Sequence, residues 1–256
     1  CHLRKVSLKS IGLIIVAAIF LFIMADYVNA CSMIAFQNLL DDSLQAIVNK
    51  PVEALVVVAI LPAIIEEFLF RGMIYRGIAN KSNKKIVIII SALLFAFLHM
   101  NFNQMCYAFV MGLVFAIVIY LTDNLSVSIL LHMLFNAFTV IITCFEKSNA
   151  IQAILQCNIA GYTLFNPSLT DTQGKIEISL LIIGGLIAIL SAVIAGWLIL
   201  LIAKTEKTTE TTINNENILK DNDNIFKNNE NWKPDLRFFA GSGVCILIAI
   251  LYEILL

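Results

Sequence analysis

Charge is scarce in this chain. Only 14% of its 256 residues are charged and 60% are hydrophobic, where a soluble domain carries about 25% and about 45–50%. With a mean hydropathy of +0.89, the composition excludes an ordinary soluble globular protein, and it excludes disorder over most of the length. A basic excess is missing too. The net charge is −1, so no basic surface suggests nucleic acid as a partner. Paired thiols are absent: Cys1, Cys31, Cys106, Cys144, Cys157 and Cys245 are isolated and form no C-x-x-C. That leaves neither a disulfide framework nor a thiolate metal site. No internal repeat stands out. Residues 1–25 place Arg4, Lys5 and Lys9 before an apolar core. No small-x-small cleavage motif follows closely, so this stretch reads as a retained first span and not as a signal peptide.

What is present is a series of apolar runs at 11–25 (continuing toward 36), 54–70, 86–102, 105–121, 125–145, 176–203 and 238–256. Most approach the ~20 residues a membrane helix needs. The expectation is an all-α polytopic transmembrane helical bundle of about seven spans. Residues 1–203 form the bundle, with its chemistry at 54–145. Residues 204–237 form a polar loop too poor in apolar side chains to fold alone, and 238–256 the last transmembrane helix. Residues 151–157 read as an interfacial piece. With the N-terminus cytoplasmic, 14 of the 17 Lys and Arg fall on the inside, as the positive-inside rule requires. The reading is a multi-pass protein of a cell membrane, with a composition like that of a low-GC bacterium.

In such helices the informative residues are those that hydrocarbon disfavours. The apolar stretch 54–65 ends in Glu66-Glu67-Phe68-Leu69-Phe70-Arg71. Twelve residues make about 18 Å of helix, too little to cross about 30 Å of hydrocarbon, so the helix continues through both glutamates. Glu67 and Arg71 are four apart and can pair on one face, which favours a structural role. Glu66 points about 100° away and is freer for chemistry. His99 ends the run Phe95-Ala96-Phe97-Leu98-His99, and His132 and Asn136 share one face of the fifth run. A helical hairpin turning near 81–85 would bring Glu66 and His99 to similar depth. His132 counts nearer the cytoplasmic side.

Glu-Glu-x-x-x-Arg, then Phe-x-x-x-His, then His-x-x-x-Asn on successive hydrophobic stretches resembles the CAAX protease and bacteriocin-processing (CPBP, or Abi) family of intramembrane endopeptidases. The resemblance covers about residues 54–145. It implies hydrolysis of a peptide bond in a membrane-associated peptide or protein, within the lipid bilayer, at a site reached from the cytoplasmic side. Glu66 with His99 would activate a water. His132 and Asn136 would stabilise the oxyanion, and Glu67 with Arg71 would hold the second span in shape. Donors in a dry cavity are worth far more to an oxyanion than in water.

Alternatives remain open. Glu66, His99 and His132 could make a His₂Glu zinc site, although no H-E-x-x-H fixes two ligands on one face. No cofactor is therefore favoured, with zinc as the alternative. A transporter would also carry intramembrane Glu, His and Arg, but usually shows repeats and broken helices; Gly184-Gly185 is a candidate break. A non-catalytic bacteriocin-immunity protein would not need the intact quartet.

Overall fold

The computed structural model describes residues 3–36, 47–79 and 83–220. Helix α1 is Leu8–Met33, opened by Ser7, whose hydroxyl accepts from the Ser10 N–H. Helix α2 covers residues 51–79 and is not uniform. Two π-helical stretches, Leu55–Ile60 and Phe68–Tyr75, flank an α-helical segment, Leu61–Glu67. Pro62 explains the first. Its nitrogen has no hydrogen to give the carbonyl four residues back, and its ring crowds that carbonyl. The ladder slips to five-residue spacing, with the Leu61 N–H on the Val56 carbonyl, as π turns do.

Helix α3 is Lys84–Leu98, α4 is Phe102–Thr122 and α5 is Leu125–Cys144. Asparagines start all three: Asn83, Asn101 and Asn124 each accept from an N–H two residues on, satisfying orphan donors of the first turn. The α3–α4 turn is only His99-Met100-Asn101, with Met100 at φ +49. That conformation costs a bulky residue of order 1–3 kcal/mol. Beyond α5 come the short helix α6, Asn149–Leu155, and a two-stranded hairpin of β1, Asn158–Ile159, with β2, Tyr162–Thr163. Residues 151–157 thus avoid spanning, as their length requires.

The last described helix, α7, is Ile178–Lys220. It passes straight through Gly184-Gly185, which is no break. A Cβ on Gly184 would collide with the Tyr162 ring and lie 2.8 Å from Tyr27, so the glycines seat two tyrosines against the helix. The helix also runs 17 residues into the stretch read from sequence as loop. There Thr205, Thr208, Thr209 and Thr211 donate back to carbonyls four residues earlier, so hydroxyls poor in apolar surface still ride a helix nucleated in the bundle. The rest of that loop and the run at 238–256 lie outside the described residues.

The fold is an all-α membrane bundle. Among the described residues four helices are long and apolar enough to cross a bilayer: Leu8–Met33, Phe102–Thr122, Leu125–Cys144 and Ile178–Thr209. Helix α3 has 15 residues, about 22 Å of rise. A count of seven would rest on this short helix, on the π-interrupted α2 and on 238–256. Buried Ile14, Ala17, Ala18 and Leu21 of α1 pack with Ala195, Leu198, Ile199 and Ile202 of α7 and with Ala108, Met111 and Phe115 of α4.

One end of the bundle is polar and laced together. Arg4 and Arg76 both pair with Asp123, at 3.3 and 2.8 Å. Glu206 is buried and accepts from the Ser7 N–H (3.2 Å) and from Asn124 Nδ2 (3.1 Å). The chain start, the end of α2, the α4–α5 turn and α7 beyond residue 203 therefore meet at this end, hereafter the basic end.

Candidate active site

The site lies where the π-interrupted α2 meets α3, α4 and α5. Helix α2 supplies Glu66, Glu67 and Arg71, which are 5%, 0% and 0% exposed. Arg71 Nη1 donates to Glu67 Oε1 at 2.8 Å, and Nη2 donates to the Gly112 carbonyl at 2.9 Å. Its guanidinium lies 4.5 Å from the Phe95 ring centre and 5.3 Å from that of Phe115. A buried cation is therefore matched by a carboxylate, a carbonyl and π faces. The i, i+4 pair expected from sequence is present.

Glu67 does more than pair with Arg71. Its Oε2 accepts from Ser128 Oγ at 2.6 Å, and its Oε1 is 3.2 Å from His132 Nδ1. A carboxylate only accepts, so Nδ1 carries the hydrogen in that contact and the imidazole tautomer is fixed. His132, 3% exposed, is stacked on Phe115 with ring centres 4.6 Å apart. Its Nε2 thereby faces Glu66, 3.9 Å from Oε2, beyond direct hydrogen-bond length.

His99 sits at the C-terminal end of α3, half-buried, with Nδ1 3.1 Å from the Phe95 carbonyl oxygen. Its ring meets Phe95 edge-on at 5.1 Å, and Phe95 also meets His132 at 5.8 Å. Phe95 is thus the packing residue that groups both histidines with Arg71. Asn136, also half-buried, donates from Nδ2 to the Val58 carbonyl at 3.2 Å. Val58 is four residues before Pro62, so Asn136 supplies the hydrogen that the proline lacks. An amide carries two N–H donors, and this bond uses one.

Two participants were missed in the sequence. Ser128 lies one turn before His132, so Ser128, His132 and Asn136 share a face at spacing four. That periodicity was available but was overlooked beside the charged residues. Gly112 holds Arg71 through a backbone carbonyl and leaves no side-chain signal. Among the described residues no three His, Cys, Asp or Glu side chains are grouped to hold a metal ion. His132 turns Nδ1 to Glu67 and His99 turns Nδ1 to a backbone carbonyl, so on both rings Nε2 is the nitrogen left for chemistry.

Buried carboxylates, two histidines and an arginine gathered inside an apolar bundle define a buried polar centre in a membrane protein. Residues 48–138 match the family of type II CAAX prenyl endopeptidase Rce1-like proteins. The chain is 34% identical over 116 residues to the membrane-embedded CAAX protease MroQ of Staphylococcus aureus (strain USA300), a match covering 43% of this chain and 47% of that protein. The chain thus spans about half the length of this relative. No solved structure matches. The segment that carries the site is thus similar to CAAX-type membrane proteases.

Proposed function

We propose that the protein is an intramembrane endopeptidase that hydrolyses a peptide bond with a glutamate-activated water. The observation that carries this reading is the buried Glu66 beside a histidine whose other nitrogen is held by Glu67. Glu66, aided by His99, takes a proton from water as the water oxygen bonds to the carbonyl carbon. The second Asn136 N–H stabilises the tetrahedral oxyanion, joined by His132 when Nε2 is protonated as well, as an imidazolium held at Nδ1 by Glu67. The C–N bond then breaks, and the proton on Glu66 passes to the leaving amine. Glu67, Arg71 and Ser128 act by positioning His132. Preorganised donors of this kind need no reorganisation during reaction. The mechanism is metal-free, and the substrate is a membrane-associated peptide or protein.

The test uses detergent-solubilised protein and a quenched fluorescent peptide pool. Glu66→Gln keeps the shape of the side chain, so turnover should vanish while yield and melting temperature are retained. Turnover that survives this change refutes the assignment. Activity lost on dialysis against a chelator and restored by zinc would overturn the metal-free version.

A further inference from the structure

We infer that an open cavity between the end of α4 and the basic part of α7 binds the phosphate headgroup of an anionic phospholipid of the cytoplasmic leaflet. The inference stands apart from the peptidase reading and uses none of its residues. The cavity holds about 400 Å³ at the basic end of the bundle, within the range of about 300–1,000 Å³ usual for small-molecule sites. Leu121, Leu200 and Ala203 supply its apolar part. Lys204, Lys207, Thr208 and Thr211 supply the polar part, and no carboxylate lines it.

The polar part is cationic and uncommitted. Elsewhere at this end the charges are spent on one another: Arg4 and Arg76 pair with Asp123, and Glu206 accepts from Ser7 and Asn124. Among the described side chains neither Lys204 nor Lys207 has an acidic partner. The Thr208 and Thr211 hydroxyls donate to the Lys204 and Lys207 carbonyls. Hydrogens for a bound anion therefore come from the two ammonium groups, three on each. Lysine meets phosphate in this way, as a point charge.

The surface leading to the cavity identifies the anion as a lipid. Residues 186, 190, 193, 197, 200 and 204 follow at steps of three and four, so they share one face of α7. Leu186, Leu190, Val193, Trp197 and Leu200 are 57–63% exposed, so the described helices leave this face uncovered. Such an apolar stripe belongs against acyl chains. It runs into Lys204, near the polar end of the apolar span Ile178–Thr209. A molecule with acyl chains below and a phosphate above fits both parts, whereas free phosphate would use the lysines alone. The excess of Lys and Arg at this end puts it in the cytoplasm, where basic pockets between membrane helices hold anionic headgroups.

Trp197 can report on the site, because Trp232 is the one other tryptophan. Full-length Trp232→Phe protein is placed in phosphatidylcholine nanodiscs doped with a lipid brominated on its acyl chains, which quenches tryptophan on contact. Brominated phosphatidylglycerol should quench Trp197 more strongly than brominated phosphatidylcholine at the same share. Each basic residue contributes about fivefold near an anionic surface. Lys204→Gln with Lys207→Gln should therefore weaken phosphatidylglycerol binding about 25-fold and keep the melting temperature. Lys204→Arg with Lys207→Arg should keep the preference, and so should Lys5→Gln with Lys9→Gln, which removes equal charge from the same end. With both lysines intact the preference should fade as salt rises, a readout that survives even if the glutamine pair fails to fold. Equal quenching by the two lipids, a preference kept by the glutamine pair, or one lost with Lys5 and Lys9 overturns the site. Inorganic phosphate that abolishes the preference at constant ionic strength assigns the lysines to a free anion and overturns the lipid.

Discussion

Three polar residues of the centre are held by partners on a different helix, Glu67 by Ser128 and His132, Arg71 by Gly112 and Asn136 by Val58, which separates roles that the sequence alone leaves merged. Glu67 serves three donors at once, so Glu67→Gln strands a buried guanidinium. Removing one partner of such a pair costs about 3–5 kcal/mol, and the expected readout is a steep loss of yield and melting temperature. Asn136 has two tasks that can be pulled apart. Asn136→Ala should lower turnover about 10²–10³-fold, as losing one oxyanion donor does. It should also destabilise by about 1–3 kcal/mol, because the half-buried Val58 carbonyl loses the Asn136 hydrogen. Changing Pro62→Ala in the same chain returns an N–H four residues from Val58. The double variant should recover melting temperature and remain slow. Recovery of both would reduce Asn136 to architecture. The role of Pro62 was not legible in the sequence, because a proline four residues before a glutamate gives no hint of which side chain repairs the ladder.

Among the elements, the long uniform helices were legible and the irregular ones were not. Runs of apolar residues locate α1, α4, α5 and the membrane part of α7 because hydrocarbon leaves the backbone no other partner. The π turns of α2 depend on a single missing hydrogen, and the extension of α7 on hydroxyls bonding locally; neither changes hydropathy. Close packing was equally hidden. A Cβ on Gly112 would sit 3.0 Å from the Ala92 Cα, so α3 and α4 touch backbone to backbone. Gly112→Ala should push them apart and shift the carbonyl that holds Arg71, costing about 1–3 kcal/mol. Gly196 has nothing within 4 Å of an added Cβ. Gly196→Ala should be neutral or stabilising by up to about 1 kcal/mol. Thermal melts of the two variants in one detergent make the comparison.

Over the whole molecule, the charge bias and the contacts describe the same arrangement. Arg4, Arg76 with Lys84, and Glu206 come from three distant parts of the chain, yet all reach one end. The parity of the apolar runs anticipated that gathering, because each crossing reverses direction. Parity could not show how that end is packed: Tyr75, Val87 and Leu125 share a buried apolar cluster there, yet look like ordinary hydrophobic residues in the sequence. The proposed orientation also predicts an order of protease sensitivity. Trypsin added outside intact cells should spare Lys204 and Lys207 while reaching Lys147 or Lys175 in the segment between α5 and α7. Cleavage at 204–207 in intact cells would reverse the orientation.

The clasp at Glu206 bears on how the chain is made. Helix α1 is synthesised long before α7, yet part of the surface that covers Ile14, Ala17, Ala18 and Leu21 belongs to α7, some 180 residues later, and the carboxylate that ties down Ser7 emerges only after that. Contacts so distant in sequence close late in folding. During translation α1 therefore waits in the bilayer with part of its packing face uncovered, and α2 to α5 assemble before the bundle is locked. A nascent chain stopped before residue 178 would be fully inserted but unclasped. In a pulse-chase it should decay faster than the complete chain, and Glu206→Ala in the complete chain should fall between the two.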